Sequence, residues 1–193
     1  MHWRRDLTGR FAYRPHFDPA EIESETWAAT ASFHLGKYGR RFSPPWKTED
    51  LGCLIEERAE RLDLYADLRA TEGETVEGRT TFRRGCRPAV EIDQRLSSEP
   101  RLQRRLRMTL AHEFIHVLFH GPLWAVQWEI AGGPSLFCSE HDNAQLQSVS
   151  HRDGGGSGVD WLEWQAAAGA GALLSPQTAR PIRSERCGWS PRA

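Results

Sequence analysis

The chain has 193 residues and a formal net charge of −1, with 39% hydrophobic and 26% charged residues. One domain with a real core fits these values; a disordered chain, a globally basic nucleic-acid binder and an acidic solvating tail do not. Cys53, Cys86, Cys138 and Cys187 are far apart, which excludes a C-x-x-C motif and a disulfide-dense scaffold. The N-terminus lacks the apolar stretch of a signal peptide, and the longest run of apolar and small residues, 166–174, is far too short to cross a bilayer. A reducing, cytoplasmic setting is therefore expected.

Residues 1–17 are basic and aromatic without a period and read as an arm. A helix starts at Asp18, which can cap it, with Pro19 in the first helical position and Glu21 three residues after the cap. It should run to about Leu35 and stop at Gly36 or Gly39. Residues 40–47, with Pro44-Pro45, form a linker. A second helix is expected over 48–62, capped by Thr48, because Leu51, Leu54, Ile55, Ala59 and Leu62 share one face. Three short strands follow at 62–68, 75–82 and 89–93, separated by glycine-containing turns. Ser98 should cap a long helix to His120, ended by Gly121 and closed off by Pro122. Residues 121–159 read as a loop rich in glycine. Asp160 should cap a last helix through about Leu174, before Pro176.

Inside the long helix stands His112-Glu113-Phe114-Ile115-His116, an H-E-x-x-H sequence. Residues four apart share a helical face, so His112 and His116 can offer two imidazole nitrogens to one metal ion. Glu113 is turned to the side of that pair, placed to act on a water without being a ligand. Zinc lowers the pKa of such a water towards neutrality, and Glu113 could take its proton. Leu106, Leu110, Phe114, Val117, Leu118 and Phe119 make the same helix apolar on most other sides, which marks it as buried. A buried His-Glu-His stripe needs partners. A catalytic zinc needs a third protein ligand. Glu163, Glu129, Cys138, Glu140 and His141 are the candidates. Glu163 is favoured because its helical face continues as Ala166, Ala167 and Ala170, small enough for a close helix pair. The competing role for Glu163 is a capping box with Asp160. His120 extends the stripe, but lies about 12 Å along the helix from His112, too far to share one ion with it. It reads as a residue behind the ligands, one facing substrate, or a satisfied polar group at the helix end.

At these residues the chain resembles the ImmA/IrrE family of metallo-endopeptidases. The matching stretches are 108–120, from Met108-Thr109-Leu110-Ala111 through His120, and 160–176, with Glu163-Trp164-Gln165-Ala166-Ala167 and Leu173-Leu174-Ser175-Pro176. The family pattern is T-L-x-H-E-x-G-H followed by E-x-Q/E-A-N-x-x-A-x-x-L-L-M-P. Ile115, Ala167 and Ser175 stand where that pattern has Gly, Asn and Met. The resemblance implies His112, His116 and Glu163 as zinc ligands and Glu113 as the catalytic acid/base. It implies a small zincin-like α+β domain with a short three-stranded sheet and a buried H-E-x-x-H helix. The organisation expected is an arm and helix over 1–47, the metallopeptidase domain over 48–176, and an irregular tail over 177–193. The substrate class implied is a helix-turn-helix transcriptional repressor of a mobile element or a stress response. The alternative from another class is a non-catalytic module that binds a repressor or antitoxin without cutting it.

Nine arginines fall between Arg79 and Arg107. Nucleic-acid binding is not expected from them, because Arg101, Arg104, Arg105 and Arg107 read as the solvated side of a helix. No membrane partner is expected.

Overall fold

The structure, a computed structural model, describes residues 2–6, 13–40, 45–69, 76–124, 146–151 and 161–175. The candidate ligands Glu129, Cys138, Glu140 and His141, the expected cap Asp160 and the tail 177–193 lie outside them.

Helix α1 (Pro19–Tyr38) forms for the reason its sequence predicts. Asp18 Oδ1 accepts from the Glu21 N–H at 2.9 Å, and the Glu21 carboxylate accepts from the Asp18 N–H at 3.1 Å, a capping box. The helix passes Gly36 and ends at Gly39, whose φ of 63° is left-handed and whose N–H donates to the Leu35 carbonyl. Helix α2 (Thr48–Glu56) is shorter than expected, and Lys47, not Thr48, holds the cap position without a side-chain bond. Leu62, counted on the face of this helix, belongs instead to a strand, where it pairs with Val90. Tertiary pairing overrides the helical period there.

Strands β3 (Arg61–Ala66), β4 (Val76–Phe82) and β5 (Ala89–Asp93) fall within a residue or two of expectation. The sheet nevertheless has four strands, in the order β3-β5-β4-β6, because β6 (Leu146–His151) adds to β4 from the stretch that reads as a loop. Only Leu146 and Val149 are apolar in β6, so no alternation betrays it. The pair β3 and β5 is parallel; β4 runs antiparallel to β5 and β6.

Asp93 accepts from the Arg95 N–H at 3.0 Å and opens a short helix, α3 (Gln94–Ser98). Ser98 therefore ends one helix instead of capping the next; its hydroxyl donates back to the Gln94 carbonyl at 2.7 Å. The break comes from Pro100. It lacks an N–H and holds Glu99 extended at φ −103°, ψ 111°. A 3₁₀ turn (Pro100–Leu102) leads into α4 (Gln103–Ile115) and then a π-helical turn (His116–His120). Gly121 does not stop the helix. It is right-handed at φ −55°, and helical residues continue to Trp124 past Pro122. The wider π turn relieves the clash of a proline ring with the preceding turn. The last helix, α5, is Trp161–Leu174.

One core joins Ile22 and Phe33 of α1, Leu51, Leu54 and Ile55 of α2, Val90 and Ile92 of β5, Leu110, Phe114 and Ile115 of α4, and Ala166, Ala170 and Leu173 of α5. Helix α4 runs through its middle, with α2 and α5 packed against it and α1 against α5. The N-terminal residues read as an arm form a hairpin, β1 (His2–Arg5) and β2 (Tyr13–His16), with His2 opposite His16. It packs on its own chain: the Arg14 guanidinium lies 5.2 Å from the Trp161 ring, and Phe17, just after it, meets Phe119 at 4.9 Å. Of the described cysteines, Cys53 is free. Cys86 is disulfide-bonded, where the sequence led us to expect reduced thiols. No helix among the described residues is long and apolar enough to cross a membrane.

Candidate metal centre

Helix α4 and α5 bring together what their spacing predicts. His112 on α4 and His116, which opens the π-helical turn continuing it, lie one turn apart with ring centroids 4.9 Å apart, and Glu163 reaches them from the first turn of α5. His116 Nε2 is 3.1 Å from His112 Nε2. Glu163 Oε2 is 3.0 Å from His112 Nε2, and its Oε1 is 3.4 Å from His116 Nε2. Ligands held about 2.0–2.1 Å from a tetrahedral zinc ion are separated by about 3.3–3.4 Å. These three separations, two of them to different oxygens of the Glu163 carboxylate, are each within a few tenths of an ångström of an edge of such a coordination shell. Among the described residues His112, His116 and Glu163 are the one group that could hold a metal ion. Two imidazoles and a carboxylate are a donor set of the kind that zinc takes.

Burial differs across the group in a useful way. His116 is buried, His112 nearly so, and the Glu163 side chain is one-third exposed, so the site opens on the Glu163 side. Burial opposes protonation of His112. The Glu163 carboxylate beside it, with the charges of Glu113 and Glu163, outweighs that and raises its pKa above the ordinary histidine value. A proton and a metal ion therefore compete for the same Nε2.

Glu113 is fully buried. The Thr80 hydroxyl of β4 donates to Glu113 Oε2 at 2.5 Å, which fixes the carboxylate from the sheet side. Nothing in the sequence marks Thr80. It lies 33 residues away on a strand, and only sheet–helix packing joins the two.

One expectation about the helix pair is corrected. Ala167 is exposed, so it does not line the contact; Gly169 does, together with Ala166 and Ala170. A Cβ on Gly169 would lie 2.8–2.9 Å from three side-chain carbons of Ile115. Ile115, where the resembling family has Gly, is thus received by a glycine on the opposite helix and points away from solvent, at 0% exposure.

Behind the ligands, His120 is also fully buried. Its Nδ1 is 2.9 Å from His116 Nδ1 and its Nε2 is 3.2 Å from Gln165 Oε1. Gln165 Nε2 donates in turn to the Pro15 carbonyl of β2 at 3.2 Å. Burial and the neighbouring His116 push the His120 pKa well below the ordinary value, so its ring is neutral. The His120 position was legible as part of the stripe. Gln165 was visible only as a member of the resembling pattern, with no role attached.

Arginines of the basic stretch are paired within the chain: Arg79 with Glu91 at 2.7 Å, and Arg83 with Glu60, Arg95 with Asp93 and Arg105 with Glu77, each of these three at 2.6 Å. Comparison with family models, with curated proteins and with solved structures finds no match. Fold and site together define an α+β protein with a two-histidine, one-glutamate group able to hold a metal ion.

Proposed function

We propose that the protein is a zinc-dependent endopeptidase of zincin-like build, related to the ImmA/IrrE family. The observation that carries this reading is the convergence of His112, His116 and Glu163 beside a buried Glu113 that is not among the three donors. A structural metal site has no use for a carboxylate in that position, which speaks against a non-catalytic binding module. The close fit of Ile115 to Gly169 speaks the same way, since it accommodates the bulkier residue without crowding the open side.

His112, His116 and Glu163 would hold the zinc. When bound, it would supply Lewis acidity, polarising a peptide carbonyl and acidifying water. Glu113, oriented by Thr80, takes the proton from the attacking water and returns it to the leaving amine. The substrate class we favour, on the family resemblance, is a helix-turn-helix repressor.

The test is direct. Purified protein should bind about one zinc per chain; His112→Ala, His116→Ala and Glu163→Ala should lose it, and Glu129→Ala, Glu140→Ala and His141→Ala should keep it. Glu113→Gln should keep zinc and fold while losing cleavage of a helix-turn-helix partner by about 10²–10⁴-fold. Equal de-repression of a reporter by parent and Glu113→Gln proteins would sink the peptidase reading.

A further inference from the structure

The line of polar contacts behind His116 runs through four groups, and its atoms leave little freedom. With a metal ion on the lone pair of His116 Nε2, the remaining proton of that ring would be on Nδ1. His116 Nδ1–H must then donate to His120 Nδ1, 2.9 Å away. His120 Nδ1 is thereby an acceptor, and its proton is on Nε2. That N–H faces Gln165 Oε1 at 3.2 Å, which can only accept. The Gln165 amide nitrogen is left as a donor, and it faces the Pro15 carbonyl, which is only an acceptor. Each contact agrees with the one before it, and reversing any one would set two donors or two acceptors face to face.

We infer that His120 and Gln165 are positioning residues for the metal centre: they hold His116 in the Nε2-ligating tautomer and anchor it to the N-terminal hairpin. The inference rests on the metal-binding reading above and extends it to residues that touch no ligand atom of the ion. The local fold serves it. Four residues apart along the π turn, the His116 and His120 rings lie 4.9 Å apart between centroids. Trp161 then closes His120 from the side, edge-on at 5.8 Å and 85°. Both polar side chains are at 0–1% exposure, where a group without its partner is costly. Ligating imidazoles in general owe 10- to 100-fold of metal affinity to a partner on the other ring nitrogen. Here that partner is a neutral histidine rather than a carboxylate, and its support is a backbone carbonyl 150 residues away in sequence from Gln165.

The test uses a nearly isosteric pair in the full chain. Asn places an amide oxygen where His120 Nδ1 stands; Leu places a methyl there. Zinc affinity is measured by competition with a chromophoric chelator. His120→Leu should weaken zinc 10- to 100-fold, and His120→Asn should stay within about threefold of the parent. Unfolding of both variants in excess chelator controls for packing, since a purely structural role would lower both alike and leave zinc affinity unsplit. Independently of any variant, ¹⁵N-resolved spectra of the zinc-loaded parent should show His116 protonated on Nδ1 and His120 on Nε2. Parent-like zinc affinity in His120→Leu, equal losses in both variants, or a His120 ring protonated on Nδ1 would each overturn the inference while leaving the metal site standing. A parent that takes up no zinc would overturn the metal site itself, and this inference with it.

Discussion

Thr80 and Glu113 show how much a single contact can decide. Glu113 is a carboxylate at 0% exposure, and the Thr80 hydroxyl at 2.5 Å is one of the groups that repays its burial. The same bond sets which way its oxygens face. Thr80→Val keeps the shape of the strand and removes the donor. We expect cleavage to fall about tenfold, a fraction of the 10²–10⁴ that the whole base supplies. Thr80→Ser should retain most of the parent rate, because it keeps the hydroxyl. Initial rates of partner cleavage at equal zinc loading check both; a Thr80→Val enzyme as fast as the parent would show that Glu113 is positioned by its other surroundings.

At the scale of elements, the distance between α4 and α5 sets the metal centre, because two ligands ride on one helix and the third on the other. Gly169 against Ile115 is a point of close approach between them. Gly169→Ala places a methyl 2.8 Å from Ile115 carbons and must push the helices apart or move the isoleucine. Overpacking of this kind costs about 1–3 kcal/mol. The separation of Glu163 from the histidines should widen with it, so zinc affinity should fall too. Ile115→Ala makes room for the same methyl. In urea unfolding, the double variant should be less destabilised than the sum of the singles by about 1 kcal/mol or more. Strict additivity would mean that the two side chains do not meet.

On the scale of the whole molecule, α1 is locked to α2 by a compact polar cluster. Asp50, at 4% exposure, accepts from Tyr38 Oη at 2.5 Å and from Lys37 Nζ at 2.9 Å. Burial pushes the Asp50 pKa up, but the two hydrogen bonds and the Lys37 charge outweigh it, and the net shift is downward. The Lys37 pKa moves up for the reciprocal reason. A carboxyl with a depressed folded pKa stabilises above its unfolded value, about 3.9, and loses that stabilisation as pH falls through the folded value. Asp50→Asn should therefore cost about 1–2 kcal/mol at pH 7, by urea unfolding. The gap from the parent should shrink below about pH 4. A pH-independent gap would mean that the charge of Asp50 contributes nothing. Since α1 packs on α5, loosening this cluster should also reach the helix that carries Glu163.

Much of this architecture is written in local pattern. The capping box at Asp18 and Glu21, the H-E-x-x-H stripe and the places of Ala166 and Ala170 on the contact face of α5 depend on spacing along one helix, and periodicity makes such spacing legible. The three strands that carry their own apolar residues were legible for the same reason. Other features had no local signature. The strand β6, with only two apolar residues, exists because β4 offers it an edge. The break before α4 belongs to Pro100 alone, and a readable serine two residues earlier masked it. The polar line from His116 to Pro15 and the bond from Thr80 to Glu113 join residues between 4 and 150 positions apart. Sequence alone determined which residues could bind a metal, because ligand chemistry and helical spacing are local. Only the tertiary structure decided which of them meet, how the buried histidines share their protons and what holds the carboxylate in place, because buried polar groups take their partners from whatever element the core brings alongside.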